Sequence, residues 1–337
     1  MPRLKEEDFA YATARIRSAE NKLLTVQKLE RLFEASSPAE AIRIVTEAGY
    51  GEGAAGGAVA SEDLEKLLSS EMKKCFSLLK TVLPDSGAVE LFMRRNDYLN
   101  AKILLKAEFS GVSGSQFLSD AGTVPGDKLS RMITDRNLKE LPETFQNAIL
   151  ESIEAYGKTN DPQTVDFVLD RGMYTNMLED AGRIDEPFVT GLVETLVDVA
   201  NVRIFIRAKL LKKAPDFVIK ALIPGGRPDI KTYAELIEKP FEAFLAALRY
   251  ADLLKLSESL KELVKGNVSM SAVEKALDDY VIEEVRKSRR IAMGIEPAVA
   301  YLFYKETEIR NVRLIITGKV NKLPHESIRE RVRISYA

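Results

Sequence analysis

Apolar residues recur along this chain at three- and four-residue intervals almost from end to end, the signature of amphipathic helices rather than strands. In the opening segment Phe9, Ile16, Leu23 and Leu24 keep this spacing, and Arg17 and Glu20 stand one turn apart. The pattern predicts a first helix from Glu6 to about Phe33. A Ser36-Ser37-Pro38 break follows, then a second helix over Ala39–Ala48 with Ser37 as its cap and Pro38 in its first turn. Five glycines between Gly49 and Ser61 predict a loop. Helices are then expected at Asp63–Val82, Ala88–Phe109, Leu129–Glu140, Phe145–Ala155, Gln163–Leu169 and Glu186–Lys212. Four more follow at Tyr233–Glu262, Ser271–Ala292, Ala298–Thr317 and His325–Ile334. Alternating β patterns with turn dipeptides are almost absent, so the predicted fold class is all-α.

The same polar signature recurs three times on this helical background. An acid is followed three residues later by Asn, two further on by a base, and then by an aliphatic residue. The copies are Asp97-Tyr-Leu-Asn100-Ala-Lys102-Ile103, Asp198-Val-Ala-Asn201-Val-Arg203-Ile204 and Glu308-Ile-Arg-Asn311-Val-Arg313-Leu314. A second marker follows each copy: Val124-Pro125-Gly126, Ile223-Pro224-Gly225 and a weaker Leu323-Pro324. A third precedes two of them, Val165 to Leu169 leading to Tyr174 and Val273 to Leu277 leading to Tyr280; the first copy offers only Ala39–Tyr50 there. The recurrence divides the chain into three helical units, residues 1–112, 113–213 and 214–337. On a helix the acid and the Asn share one face, while the base lies well round the cylinder, joined one turn on by Lys106 and Arg207. Two readings stand side by side. Asp97, Asn100, Asp198, Asn201, Glu308 and Asn311 are structural contacts with each amide satisfied by backbone, or the basic faces line a surface for a partner.

Composition sharpens this only in places. Of 337 residues 45% are apolar and 30% charged, ordinary for a folded soluble chain. No stretch approaches the length of uncharged apolar sequence that spans a bilayer, and no apolar leader opens the chain. A single cysteine, Cys75, excludes an internal disulfide and suits a reducing cytoplasm. The formal charge of −2 conceals an asymmetry: from Val285 to Ala337 there are twelve Lys/Arg and five acids. A basic end beside an acidic body serves an anionic surface or acidic partner, or consists of solvated helix faces. Arg310, Arg313, Lys319, Arg329 and Arg333 from this stretch, with Arg203 and Arg207 from the middle copy, are the candidate partner contacts. Nucleic acid is not expected as a partner, because no basic stripe interleaves with aromatics.

The residues for chemistry are few. One histidine, His325, excludes histidine clusters and triads. Lys73-Lys74 beside Cys75 could lower its pKa, but a helical cysteine with no histidine near it is usually packed. The glycine tract lacks the Gly-Lys-Ser/Thr ending of a phosphate loop, and no Gly-x-Ser-x-Gly elbow occurs. Neither a cofactor nor a metal is therefore expected. Asp278-Asp279-Tyr-Val-Ile-Glu283 hints at the magnesium-holding aspartates of a helical prenyl-transferring enzyme, but the second acid falls one residue late and no second acidic cluster follows. A generic helical-repeat interaction scaffold is the other alternative.

The repeats, with two terminal stretches, resemble the C subunit of the V/A-type rotary ATPases, the counterpart of the d subunit of eukaryotic V-ATPases. The opening Tyr11-Ala-Thr-Ala-Arg15-Ile-Arg17-Ser-Ala-Glu20-Asn-Lys-Leu23-Leu24 is similar to that family's first helix. Tyr301-Leu-Phe-Tyr-Lys305-Glu306-Thr-Glu308-Ile-Arg310-Asn311-Val-Arg313, then Gly318-Lys319 and Ile328 to Tyr336, is similar to its last signature, and Ile223-Pro224-Gly225-Gly226 to one of its loops. The resemblance implies three similar helical subdomains around a pseudo-threefold axis, forming a funnel. It further implies a non-catalytic central-stalk adaptor on the cytoplasmic face of the membrane, capping the rotor ring and seating the central shaft so that torque couples ATP turnover to ion translocation. The coupling ion, proton or sodium, is not legible in this chain.

Overall fold

The computed structural model describes residues 5–51, 64–265 and 268–336. Most of the expected glycine-rich loop therefore lies outside the described residues. Among those residues all regular structure is helical: α1 (Ala10–Glu20), α2 (Val26–Glu34), α3 (Pro38–Glu47), α4 (Leu64–Val82), α5 (Gly87–Phe109), α6 (Gly126–Thr134), α7 (Glu143–Thr159) and α8 (Pro162–Ile184). The rest are α9 (Pro187–Leu210), α10 (Pro215–Ala221), α11 (Ile230–Leu236), α12 (Phe241–Tyr250), α13 (Leu254–Lys261), α14 (Met270–Arg286), α15 (Glu296–Val320) and α16 (His325–Arg329). None is long and apolar enough to cross a membrane.

Where the helices depart from the periodicity, a local cause is visible. The first long helix is cut in two: Leu23 and Leu24 are drawn into the core, and Thr25 then caps α2 by accepting the N–H of Lys28. The segment Tyr233–Glu262 is three helices rather than one. Pro240, which has no N–H to give, stands at the start of α12, and Asp252 at φ +60° closes the turn after it. α8 runs on to Ile184, well past Leu169, because its second half is only partly buried and carries a mixed pattern. At Gly172 it lies so close to α7 that a Cβ would sit 2.5 Å from Ala148 Cβ. The short α10 has no counterpart in the periodicity.

The chain divides into two compact units, residues 1–89 with 274–337, and residues 90–273. This partition and the linear threefold division cut the sequence at different places. In the first unit α15 packs against α1, α3 and α4. It is buried nearly all round, which explains why its sequence shows so little of a polar face. Leu32, Phe33, Ile42, Val45 and Leu68 form one core with Val312, Ile315 and Ile316. In the second unit one cluster joins Tyr98, Leu105, Ile133, Phe145, Ile149 and Leu169. Beyond it Phe205 stacks on Phe244 at 4.2 Å between ring centres, with Tyr233 beside them.

The three Asn-bearing helices α5, α9 and α15 end identically. Eleven residues past Asn100, Asn201 and Asn311 stand Gly111, Lys212 and Lys322, all left-handed, at φ +67°, +51° and +53°. The next residue donates back to the carbonyl five before it: Val112 to Ala107, Lys213 to Ala208 and Leu323 to Gly318, each at 2.9 Å. This is the Schellman closure, and the first copy meets its left-handed position with glycine. Lysine in that conformation carries a steric cost that glycine avoids. Lys322→Gly and Lys212→Gly should each raise stability by several tenths to about 1 kcal/mol, measured by urea denaturation.

Candidate functional site

The three signature asparagines are fully buried and make one and the same contact. Asn100 donates its amide N–H to the carbonyl of Ser119 (2.8 Å) and accepts the N–H of the same residue (2.7 Å). Asn201 does so with Ile223 (2.8 and 2.9 Å), and Asn311 with Arg333 (3.0 and 3.0 Å). A side-chain amide offers a donor and an acceptor side by side, so it can pair with one residue's backbone as a neighbouring strand would. Each asparagine thus pins the segment that returns after its own helix. From the sequence each asparagine is expected half-buried between helices with its amide on neighbouring backbone; it is fully buried, and the backbone is this returning segment.

The acids divide two against one. Asp97 accepts the N–H groups of Thr123 and Val124 and the hydroxyl of Thr123, and Asp198 accepts the N–H of Arg227 at 2.8 Å. Thr123 and Arg227 each lie four residues past the backbone that the asparagine holds. The residue before them is glycine both times. A Cβ on Gly122 would meet Asp97 Oδ1 at 2.0 Å, and one on Gly226 would meet Asp198 Oδ1 at 2.6 Å. Geometry therefore aligns Ser119–Gly122–Thr123 with Ile223–Gly226–Arg227, which corrects the second sequence marker. Pro125 and Pro324 directly precede α6 and α16, whereas Pro224 sits inside the pinned loop, so the look-alike tripeptides occupy different places. Gly122 and Arg227 were missed, and Gly226 was seen only as part of a loop; a glycine three residues past the pinned backbone in the first two copies was the available signal.

Burial pushes the Asp97 carboxyl up and raises that of Asp198 to about 6, against the pull of the Arg227 N–H and guanidinium. The folded chain then holds the Asp198 proton more tightly than the unfolded chain does. The stability from this group is greatest below the ordinary carboxylate value near 3.8 and is lost as pH rises through about 6. Asp198→Asn keeps an acceptor for Arg227 and removes the buried charge. Between pH 4.5 and 7.5 the variant should gain on the parent by roughly 2 kcal/mol, read from paired thermal melts.

In the third copy the acid is one methylene longer and points elsewhere. Glu308 accepts the Tyr50 hydroxyl (2.6 Å), the Lys305 ammonium (2.7 Å) and the N–H of Leu24. Lys305 lies 3.6 Å from Glu71, which also accepts from Lys74 (2.7 Å) and the N–H of Gly51 (3.2 Å). Burial and the neighbouring Glu308 raise the Tyr50 pKa well above its ordinary value, so the phenol stays a donor. Nearby, buried Glu20 receives Arg17 (2.9 Å) and the Tyr336 hydroxyl (3.2 Å). The two terminal stretches of the sequence are thereby joined, and the charges inside are paired and hydrogen-bonded as burial requires. Tyr50, Glu71 and Lys305 were not singled out from sequence.

The candidate partner bases have neighbours of their own. Arg313 grips Glu65 with two nitrogens (2.8 and 2.9 Å), Arg329 grips Glu30 likewise (3.1 and 2.6 Å), and Arg310 and Arg333 share Asp278 (2.8 and 3.1 Å). Lys319 donates to the carbonyls of Phe33 and Ala35 at the end of α2. Lys209, also eight residues past its asparagine, does the same to Ile237 and Lys239 beyond α11. Desolvation lowers the pKa of both lysines. At that position the first copy has Glu108, which binds Arg136 at the end of α6. The motif's own base is held in the first copy by Asp170 on α8 (Lys102, 2.6 Å) and in the third by Glu65 on α4. Arg203 is half-buried and Arg207 exposed on α9. Asp279 accepts from Lys275 (2.5 Å) and the N–H of Ile334 (2.7 Å), so both acids of the Asp-Asp pair are engaged within the unit. Cys75 is buried, and desolvation drives its thiol pKa up, the opposite of what Lys73-Lys74 suggested.

A loop pinned by a buried Asp/Asn pair in two copies and by the Asn alone in the third, with the chain's two terminal stretches interlocked, is a framework that spans the sequence. The family profile of the ATP synthase (C/AC39) subunit matches residues 12–331, which is nearly the same span. The chain belongs to that family. Among relatives of this C/AC39 chain, the C subunit of the A-type ATP synthase of Methanocaldococcus jannaschii is 27% identical, the alignment covering 95% of this chain and 85% of the relative. The C subunit of the V-type sodium ATPase of Enterococcus hirae is 26% identical over 82% of this chain and 83% of its own length. That of the V-type ATP synthase of Thermus thermophilus is 25% identical over 97% and 98%.

Proposed function

We propose that this chain is the non-catalytic central-stalk adaptor of a V/A-type rotary ATPase, seating the shaft and capping the membrane rotor ring on the cytoplasmic side. The observation that carries the reading is the family match from residue 12 to 331, with relatives covered over more than four-fifths of their own length. The buried acids and asparagines of the signature support it, since each is engaged within the chain. A torque-bearing part needs such fixed joints. The test is affinity purification of the tagged chain from its source membrane. Ring and shaft proteins should co-purify; their absence, with the chain folded and expressed, would overturn the reading.

The threefold repeat is part of the same proposal. The units are residues 1–112, 113–213 and 214–337, each carrying one Asn helix, α5, α9 and α15. Superposing the three Asn helices with their short neighbours tests it, and a common local framework is the expected result.

For the bases, the internal pairs favour a stabilising role for Arg310, Arg313 and Arg329. Arg203 and Arg207 on α9 stay candidates for partner contact, as the sequence has them. Reversing the three C-terminal arginines together sets like charge against Asp278, Glu65 and Glu30. Because each exposed pair contributes about 0–1 kcal/mol, the melting temperature should fall by roughly several degrees. The affinity of the folded variant for shaft and ring should stay unchanged, while Arg203→Glu/Arg207→Glu should weaken it.

A further inference from the structure

In the first unit, a cavity of about 640 Å³ opens between α1, α4, the end of α3 and α15. Its wall carries five bases, Arg15, Lys22, Lys28, Lys74 and Lys305, against two acids, Glu47 and Glu71. The acids are already engaged, Glu47 by Arg31 and Arg43 and Glu71 by Lys74 and the Gly51 N–H. Lys305 is neutralised by Glu308 behind the wall. Arg15, Lys22 and Lys28 have no side-chain partner among the described residues. That contrasts with the C-terminal arginines Arg310, Arg313, Arg329 and Arg333, each of which is matched. Unmatched positive charge is thus gathered at the mouth of one concave site.

From this we propose that the cavity binds an acidic polypeptide segment of a partner protein. The spacing selects the ligand class. Arg15 and Lys22 are seven residues apart along α1 and the turn that ends it, about 10 Å at 1.5 Å per residue. Bases set out along that length suit a run of carboxylates. A polyproline-II chain advances about 3.1 Å per residue and turns every third side chain to one face, so carboxylates three residues apart match that interval. The unmatched groups on the wall are side-chain cations, which pair with carboxylates through charge-assisted hydrogen bonds. This binding chemistry is independent of the adaptor role, since a partner in any complex could supply it.

The test uses the whole chain and a short fluorescent peptide with glutamate at every third residue, followed by anisotropy. Saturable binding that weakens with added salt is expected, and the glutamine version of the peptide should not compete. Arg15→Glu/Lys22→Glu/Lys28→Glu should weaken binding by about tenfold or more. Its helical content and melting temperature should hold, because these bases support no internal pair. Should that variant fail to fold, the neutral Arg15→Gln/Lys22→Gln/Lys28→Gln serves, with a loss of at least several-fold. Three results would overturn the proposal: no saturation with the parent chain, equal binding by the variants, or equal competition by the glutamine peptide. Inorganic pyrophosphate binding at this site in place of the peptide would overturn it too, and reassign the cavity to small phosphates.

Discussion

Glu308→Ala should destabilise the chain by about 3–5 kcal/mol and lower its melting temperature by roughly ten degrees. The substitution leaves the Lys305 ammonium buried with only Glu71, at 3.6 Å, to compensate it. It also strips an acceptor from the Tyr50 hydroxyl and from the N–H of Leu24. An uncompensated buried charge is the costly part, so the order of variants is informative. Glu308→Gln keeps the shape and two of the acceptor contacts and should fall between parent and alanine. Lys305→Met/Glu308→Met removes both charges at once and should recover much of the loss. If the double variant is no better than Glu308→Ala, the cost comes from packing rather than charge.

Asn201→Ala should cost about 3–4 kcal/mol, the second large effect. Both backbone groups of Ile223 are buried against it, and neither finds water when the amide is removed. Amide hydrogen exchange at Ile223 should accelerate with the loss of stability. Asn311→Ala is the internal comparison. Its partner Arg333 lies in a half-buried stretch that can hydrate on opening, so about 1–2 kcal/mol is expected there. Equal losses at the two sites would show that the asparagine's own burial, not the fate of its partner, sets the cost.

Helix content was legible because most helices here bury one stripe and expose the rest, which writes the period into the sequence. It failed where the stripe was blurred. α15 is buried nearly all round, and its pattern revealed a helix without revealing its neighbours. Pro240 was overlooked as a break because apolar residues resume at once on its far side. The asparagines were legible as a set through their recurrence. Their partners were not, since a side-chain amide binds backbone and backbone leaves no mark on residue type. The glycines at 122 and 226 were the trace that remained, hidden because Val124-Pro125-Gly126 mimics Ile223-Pro224-Gly225. The reach of Glu308 to Leu24 and Tyr50 joins positions more than 250 residues apart, a distance that no local pattern encodes.

The discontinuous first unit also has a consequence for how the protein is made. Residues 90–273 form a compact unit from contiguous chain, so they can fold as they leave the ribosome. Residues 24–68 cannot complete their core until Ile309 to Ile328 have been synthesised. At elongation rates of about 5–20 residues per second, the intervening residues take roughly ten to fifty seconds. Throughout that interval the apolar faces of α2, α3 and α4 lack the helix that covers them. A nascent chain stalled once residue 273 has left the ribosome but before α15 has should accordingly present a folded, protease-resistant middle behind a sensitive N-terminal stretch that ribosome-bound chaperones would occupy.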